Sequence, residues 1–191
     1  MSILSPRWAL SAGCVALMTA CTTVAPQYSP VPGNIVQLRE AGLEPMKIGD
    51  FKPADPTKTD ALNRLSIRGM TYLSPYQGSF VEYLKQALTL EVQEANLLDP
   101  ASTVVLAGFL VVNDLDANGF TKASAQMDAR FKVTRAGTVA FDKVLSARFQ
   151  WDSNILGMIA IPAARENYPV VVQQLLAKLY ADPDFANALR K

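Results

Sequence analysis

The sequence predicts an α+β fold: a two-layer domain in which two main helices cover one face of a mostly antiparallel sheet, in the order β-β-α-β-β-β-α. Three observations carry this. A capped amphipathic helical pattern occupies Ser79 to Asn96. Three strand-like segments follow between Ser102 and Trp151, separated by Asn118-Gly119 and Ala136-Gly137. A leucine-rich helical pattern then closes the chain.

The elements are read in order. Met46–Phe51 ("MKIGDF") alternates apolar and polar residues as a strand does. Lys52–Asp60, with two prolines and several turn formers, reads as a loop. Arg64–Tyr72 reads as a second strand with Leu65 and Ile67 on one face. Ser79 and Glu82 have capping-box spacing, and Val81, Leu84, Leu88, Val92 and Ala95 repeat at helical spacing. An alternative start is Ser74, with Pro75 at the first helical position and Gln77 completing a similar box.

Ser102–Leu115 is apolar almost throughout and β-branched, which predicts a strand buried on both faces. Asn118-Gly119 signals a hairpin. Ala125, Met127, Ala129, Phe131 and Val133 then face one way, with Gln126, Asp128, Arg130 and Lys132 opposite. After the Ala136-Gly137 turn, Thr138–Trp151 forms the next strand, with a bulge expected near Lys143. The last helix is expected to begin near Pro162 or Pro169, burying Val172, Leu175, Leu176 and Leu179. Asp182 or Asp184 caps a short terminal turn or helix.

The N-terminus carries a different message. Arg7 is followed by Trp8–Met18, apolar and small, of signal-peptide length and too short to span a bilayer as a helix. Ala20 then precedes Cys21. The arrangement resembles the lipobox of bacterial lipoproteins, in which an enzyme cuts before a cysteine whose sulfur is first diacylated. Met18 stands where such boxes usually have leucine, and Cys14 is a competitor that would leave a much shorter apolar run. The chain therefore divides into a leader (1–20), a lipidated Cys21 with a proline-rich tether (21–34), and a single α+β periplasmic domain (35–191). The tether would hold the domain up to ~40 Å from the lipid in extended form; its alternative is packing along the domain edge. By resemblance to enterobacterial sorting, the absence of Asp after Cys21 (Thr22 stands there) fits the outer membrane, with the domain on its periplasmic face.

Composition narrows the function. The 191 residues carry a formal charge of +1, with 18 Lys+Arg against 17 Asp+Glu, which gives no footprint for nucleic acid. There is no histidine, the commonest metal ligand and neutral-pH base. Beyond the leader, Cys21 is the only cysteine, so no disulfide or thiol–histidine metal set is expected. No nucleophile elbow, phosphate loop, zinc helix or dinucleotide fingerprint occurs. Asp114 and Asp116 miss calcium-loop spacing and read as a polar hairpin. Ser74, Ser79 and Lys85 read as caps and an exposed lysine rather than a catalytic pair. The expectation is a non-enzymatic protein without a cofactor or metal.

Two apolar clusters remain. Ile155–Pro162 ("ILGMIAIP") places Ile155, Leu156, Met158 and Ile159 in a connector. They read either as core beneath the last helix or as a contact for a protein or lipid partner. Tyr72, Tyr76 and Phe80 read as packing around the helix entry.

The lipobox, the proline-rich stretch, "MKIGDF", the capped helix, "VVLAGFLVVNDL" and the closing "VVVQQLLAKLYADPDFANAL" together resemble the YajG-type lipoproteins of Gram-negative bacteria. The resemblance implies an anticodon-binding-domain-like or TolB-N-terminal-like fold and no catalytic motif. It implies an outer-membrane lipoprotein acting as an interaction or adaptor module in envelope assembly or maintenance. Similar architectures imply the alternatives: a lipid-binding or auxiliary subunit of an envelope lipid-transport system, or an activator of a peptidoglycan synthase. The partners expected are the membrane, through the lipid anchor, and an envelope protein; a homodimer is left open.

Overall fold

The computed structural model describes residues 21–190, so the leader expected over residues 1–20 lies outside the described residues. In chain order the elements are β1 (Thr22–Val24), α1 (Pro32–Glu40), β2 (Lys47–Pro53), α2 (Thr59–Asn63), β3 (Leu65–Ile67), β4 (Met70–Leu73), α3 (Phe80–Glu94), β5 (Val104–Asp116), β6 (Lys122–Arg135), β7 (Thr138–Asp152), α4 (Gly157–Ala181) and α5 (Pro183–Leu189). The fold is α+β, as the sequence predicts.

The main sheet has the order β2-β5-β6-β7. Its buried face is the one read from alternation: Ala125, Met127, Ala129, Phe131 and Val133 are all buried on β6. Antiparallel ladders join β5 to β6 and β6 to β7, while β2 pairs with β5 in parallel. Parallel neighbours need a crossover, and α3 supplies it. Its Leu84, Leu88 and Val92 have no exposed surface, and Leu175, Leu176 and Leu179 of α4 fill the rest of the layer. Ser79 caps α3, its Oγ accepting from Glu82 N.

Several expectations are corrected. β5 is buried on one face only: Val104, Leu106, Gly108 and Leu110 point into the core, while Val105, Ala107 and Phe109 are half-exposed. Phe109 lies beneath Lys52 and Arg130, whose cationic groups are 5.4 and 5.9 Å from its ring centre. The bulge falls at Ala140, between the pairs Val133–Phe141 and Thr134–Val139, and not at Lys143. Lys143 keeps regular pairing with Phe131 and turns toward the helices, its Nζ donating to Asp182, the N-cap of α5, at 2.7 Å. The segment read as one strand over Arg64–Tyr72 is a hairpin, β3 and β4, reversed at Arg68-Gly69 with φ of 51° and 80°. The expected loop over Lys52–Asp60 contains a short 3₁₀ turn at Pro56–Lys58 leading into α2.

Asn118-Gly119 does lie between two hairpin strands, but the connection runs over 117–121. A Cβ on Gly119 would stand 2.0 Å from the Lys122 carbonyl oxygen, so only glycine fits. The last helix starts earlier than expected and carries both Pro162 and Pro169 inside it. Pro169 cannot donate to the Arg165 carbonyl four residues back. That carbonyl instead accepts from Tyr72 Oη, a long contact of 3.5 Å.

The β6–β7 turn places Ala136 at φ 47° and Gly137 at φ 85°, both in the left-handed region. Two-residue turns of this type favour Asn-Gly, because asparagine's short polar side chain hydrogen-bonds locally and offsets the strain that a Cβ meets there. Ala136→Asn should therefore raise stability by about 0.5–1 kcal/mol, read as a higher urea midpoint with unchanged slope.

Candidate functional site

The expected tether is instead part of the domain. β1 pairs in parallel with β4, and the strands β1-β4-β3 form a second small sheet. Thr71 N donates to the Cys21 carbonyl at 3.1 Å, and Ala25 N donates to the Leu73 carbonyl at 2.9 Å. Cys21 itself is exposed at the start of this sheet. Of the prolines in the expected tether, Pro32 occupies the first turn of α1, where its missing N–H costs nothing.

Glu91 holds the segment down. It sits on α3, fully buried, and its Oε1 accepts from Tyr28 Oη at 2.6 Å, Val31 N at 3.2 Å and Asn34 Nδ2 at 3.1 Å. Val31, the N-cap of α1, offers no side-chain cap; the Glu91 carboxylate accepts from its backbone N–H and so lies at the positive end of the helix. Burial raises the Glu91 pKa above the ordinary carboxylate value, while the hydrogen bonds oppose the rise. Tyr180 faces the same carboxylate without forming a well-placed hydrogen bond.

Arg68 organises the same end of the molecule as Cys21. Its Nε donates to the Ala117 carbonyl (2.9 Å), Nη2 to Gly119 and Asn154 (3.0 and 2.7 Å), and Nη1 to Ile155 (3.1 Å). One guanidinium thus ties the β5–β6 connection to the lead-in of α4. Around it stand Ile155, Leu156, Met158 and Ile159, exposed by 65, 52, 81 and 50%. The core reading of these four is overturned: the first turn of α4 projects beyond the sheet, and Ala160 alone among its neighbours turns fully inward. Phe120, in the connection Arg68 holds, is 67% exposed and was not singled out from the sequence. Its signal is an aromatic at the tip of a polar turn.

The other candidates have structural partners. Tyr72 and Phe80 are fully buried with ring centres 5.8 Å apart, and both pack on Tyr168; Tyr76 packs on Tyr83. Ser74 Oγ accepts from Tyr76 N in a turn rather than starting a helix. Tyr168 Oη donates to Asn113 Oδ1 at 2.7 Å, and Asn113 Nδ2 donates to the Leu62 carbonyl at 2.8 Å, closing a buried chain of hydrogen bonds. Asp116 Oδ1 accepts from Asn118 N, the local turn bond expected of a polar hairpin. Among the described residues, no three His, Cys, Asp or Glu side chains are grouped to hold a metal ion. No described helix is long and apolar enough to cross a membrane.

The chain is similar to a solved Xanthomonas campestris protein of the DUF330 family, with a TM-score of 0.53 and 12% identity over 85% of this chain and 89% of that one. The fold is shared. Weaker likenesses are to a hypothetical protein from Chlamydia trachomatis (TM-score 0.47, 10% identity, 76% of this chain and 99% of that one) and a minor lipoprotein from Acinetobacter baumannii (0.39, 16%, 76% and 94%). No family model matches the sequence, and no curated protein matches it.

Proposed function

We propose that this protein is a lipoprotein of the bacterial envelope, acylated at Cys21, that acts as a non-enzymatic interaction module. The observation that carries the reading is the position of Cys21. It follows a short apolar leader sequence and stands exposed at the edge of the folded domain, where lipid on its sulfur meets no steric bar. Several acyl chains on one residue hold a protein firmly to a bilayer, whereas one holds it weakly. The outer membrane is the expected address, with the domain in the periplasm.

The layer between helices and sheet favours the adaptor over a lipid carrier. Leu84, Leu88, Leu106, Met127, Phe131, Leu175 and Leu179 are fully buried there, so side chains fill the space an acyl chain would need. Cells fed a radioactive fatty acid should label the wild type, and Cys21→Ser should abolish label and membrane retention together. A Cys21→Ser protein that still labels would overturn the anchor. Crosslinking in intact membranes, followed by affinity purification, should recover an envelope protein; recovering bound lipid alone would overturn the adaptor role.

A further inference from the structure

The strands and the last helix give the domain a direction. β1 and β4 run in parallel, with Thr22 opposite Thr71, so Cys21 lies beside Met70 and next to the Arg68-Gly69 turn. α4 runs the same way. Arg68 binds the carbonyls of Asn154 and Ile155 at its start, and further along Arg165 Nε donates to the Val24 carbonyl at 3.1 Å. From Val24 back to Cys21 is about 10 Å of strand. From Arg165 back to the start of α4 is about 12 Å of helix. The two distances match, so Cys21 and the start of α4 stand level at one end of the domain.

That end is also where the large apolar side chains reach water. Phe120, Ile155, Leu156, Met158 and Ile159 come from two connections and one helical turn, all gathered by Arg68. Isolated exposed apolar residues are ordinary, but a contiguous group of this size marks a contact surface. The position of Cys21 selects its occupant. The main chain at Cys21 is bonded to Thr71, so there is no free tether, and acyl chains on its sulfur would draw this end down to the bilayer.

We propose that Phe120, Ile155, Leu156, Met158 and Ile159 seat in the headgroup boundary of the bilayer that holds the Cys21 acyl chains. The domain is thereby fixed in one orientation, with the β6–β7 turn pointing away. The contact is interfacial, because no described helix can span a membrane. The inference rests on acylation at Cys21, and its test separates the two.

Full-length Met158→Trp protein, purified from membranes, is reconstituted in phosphatidylethanolamine and phosphatidylglycerol vesicles with plain or brominated acyl chains. Mass spectrometry of the same material scores acylation, and unsubstituted protein gives the Trp151 background. At a depth of ~5–10 Å, the introduced indole should lose about half its emission to bromine. Val139→Trp, at the far end of β7, should lose none. Acylated protein whose position-158 indole is unquenched overturns this contact and leaves the anchor standing. Material without acyl chains overturns both. An indole insensitive to bromine, whose emission shifts to the blue with protein concentration, overturns the contact in favour of a second copy covering this face.

Discussion

Glu91→Ala should destabilise the domain by about 3 kcal/mol, because it leaves the buried Tyr28 hydroxyl and the half-buried Val31 N–H without their acceptor. Asn34 loses the same carboxylate and keeps only the Gln173 carbonyl, at 3.2 Å. The loss concentrates on the N-terminal segment, so amides from Ala25 to Glu40 should exchange faster before the sheet does. Glu91→Gln keeps an acceptor for Tyr28 and should cost about 1 kcal/mol at most. It also tests the charge. Burial raises the folded pKa above the unfolded value of 4.5, so the folded state holds the proton more tightly. Stability contributed by this group is therefore complete below the unfolded pKa and falls as pH rises through the folded one. The difference in stability between wild type and Glu91→Gln should move in favour of the variant as pH climbs through that window. The lowered carboxylates, Asp142 paired with Arg130 and Asp152 paired with Lys122, act with the opposite sign in both proteins and cancel in the difference. A difference that stays flat with pH would show that Glu91 does not titrate on unfolding.

Arg68→Lys should cost about 2 kcal/mol and loosen two connections at once. The guanidinium reaches four carbonyls, from Ala117, Gly119, Asn154 and Ile155, in a planar fork that an ammonium on a flexible stem cannot reproduce. Amide exchange should rise in residues 117–121 and 153–157 while the β6 core stays protected. Arg68→Asn separates the two properties of the position: it suits the left-handed backbone at φ 51° better than arginine does, yet makes none of the four bonds. It should exchange as fast as Arg68→Lys. If it is instead as protected as the wild type, the turn and not the side chain holds the connections.

The layers were legible because they rest on repeated local signals. β6 alternates without a fault over Ala123 to Val133, and the Ser79 cap with its apolar stripe defines α3. What failed depended on distant partners. The Arg68-Gly69 reversal lacks the usual asparagine, and its arginine is kept for contacts that lie 49 to 87 residues away. Pro162 and Pro169 are ordinary helix breakers, tolerated in α4 where tertiary contacts such as that from Tyr72 replace what the ladder loses. Pro26, Pro30 and Pro32 suggested a solvated tether, and only Glu91 reveals the segment as packed. Glu91 could have been noticed, since it falls on the buried stripe with Leu84 and Leu88 and is the one charge there. The exposed group at Ile155–Ile159 was visible as a cluster, but whether it faced core or solvent depended on where α4 begins.

The stitching of the N-terminal segment also sets a timetable for the nascent chain. Cys21 to Asn34 is made early, yet several of the groups that hold it are made late: Glu91 follows Asn34 by 57 residues, and Gln173 follows Ser29, to which it donates, by 144. Until synthesis has passed those points, α1 lacks the helices it packs on and β1 has only β4 to pair with. The thiol of Cys21 thus stands on a strand held by β4 alone for much of translation, and its edge is completed only when α4 adds the bonds from Arg165 and Gln173.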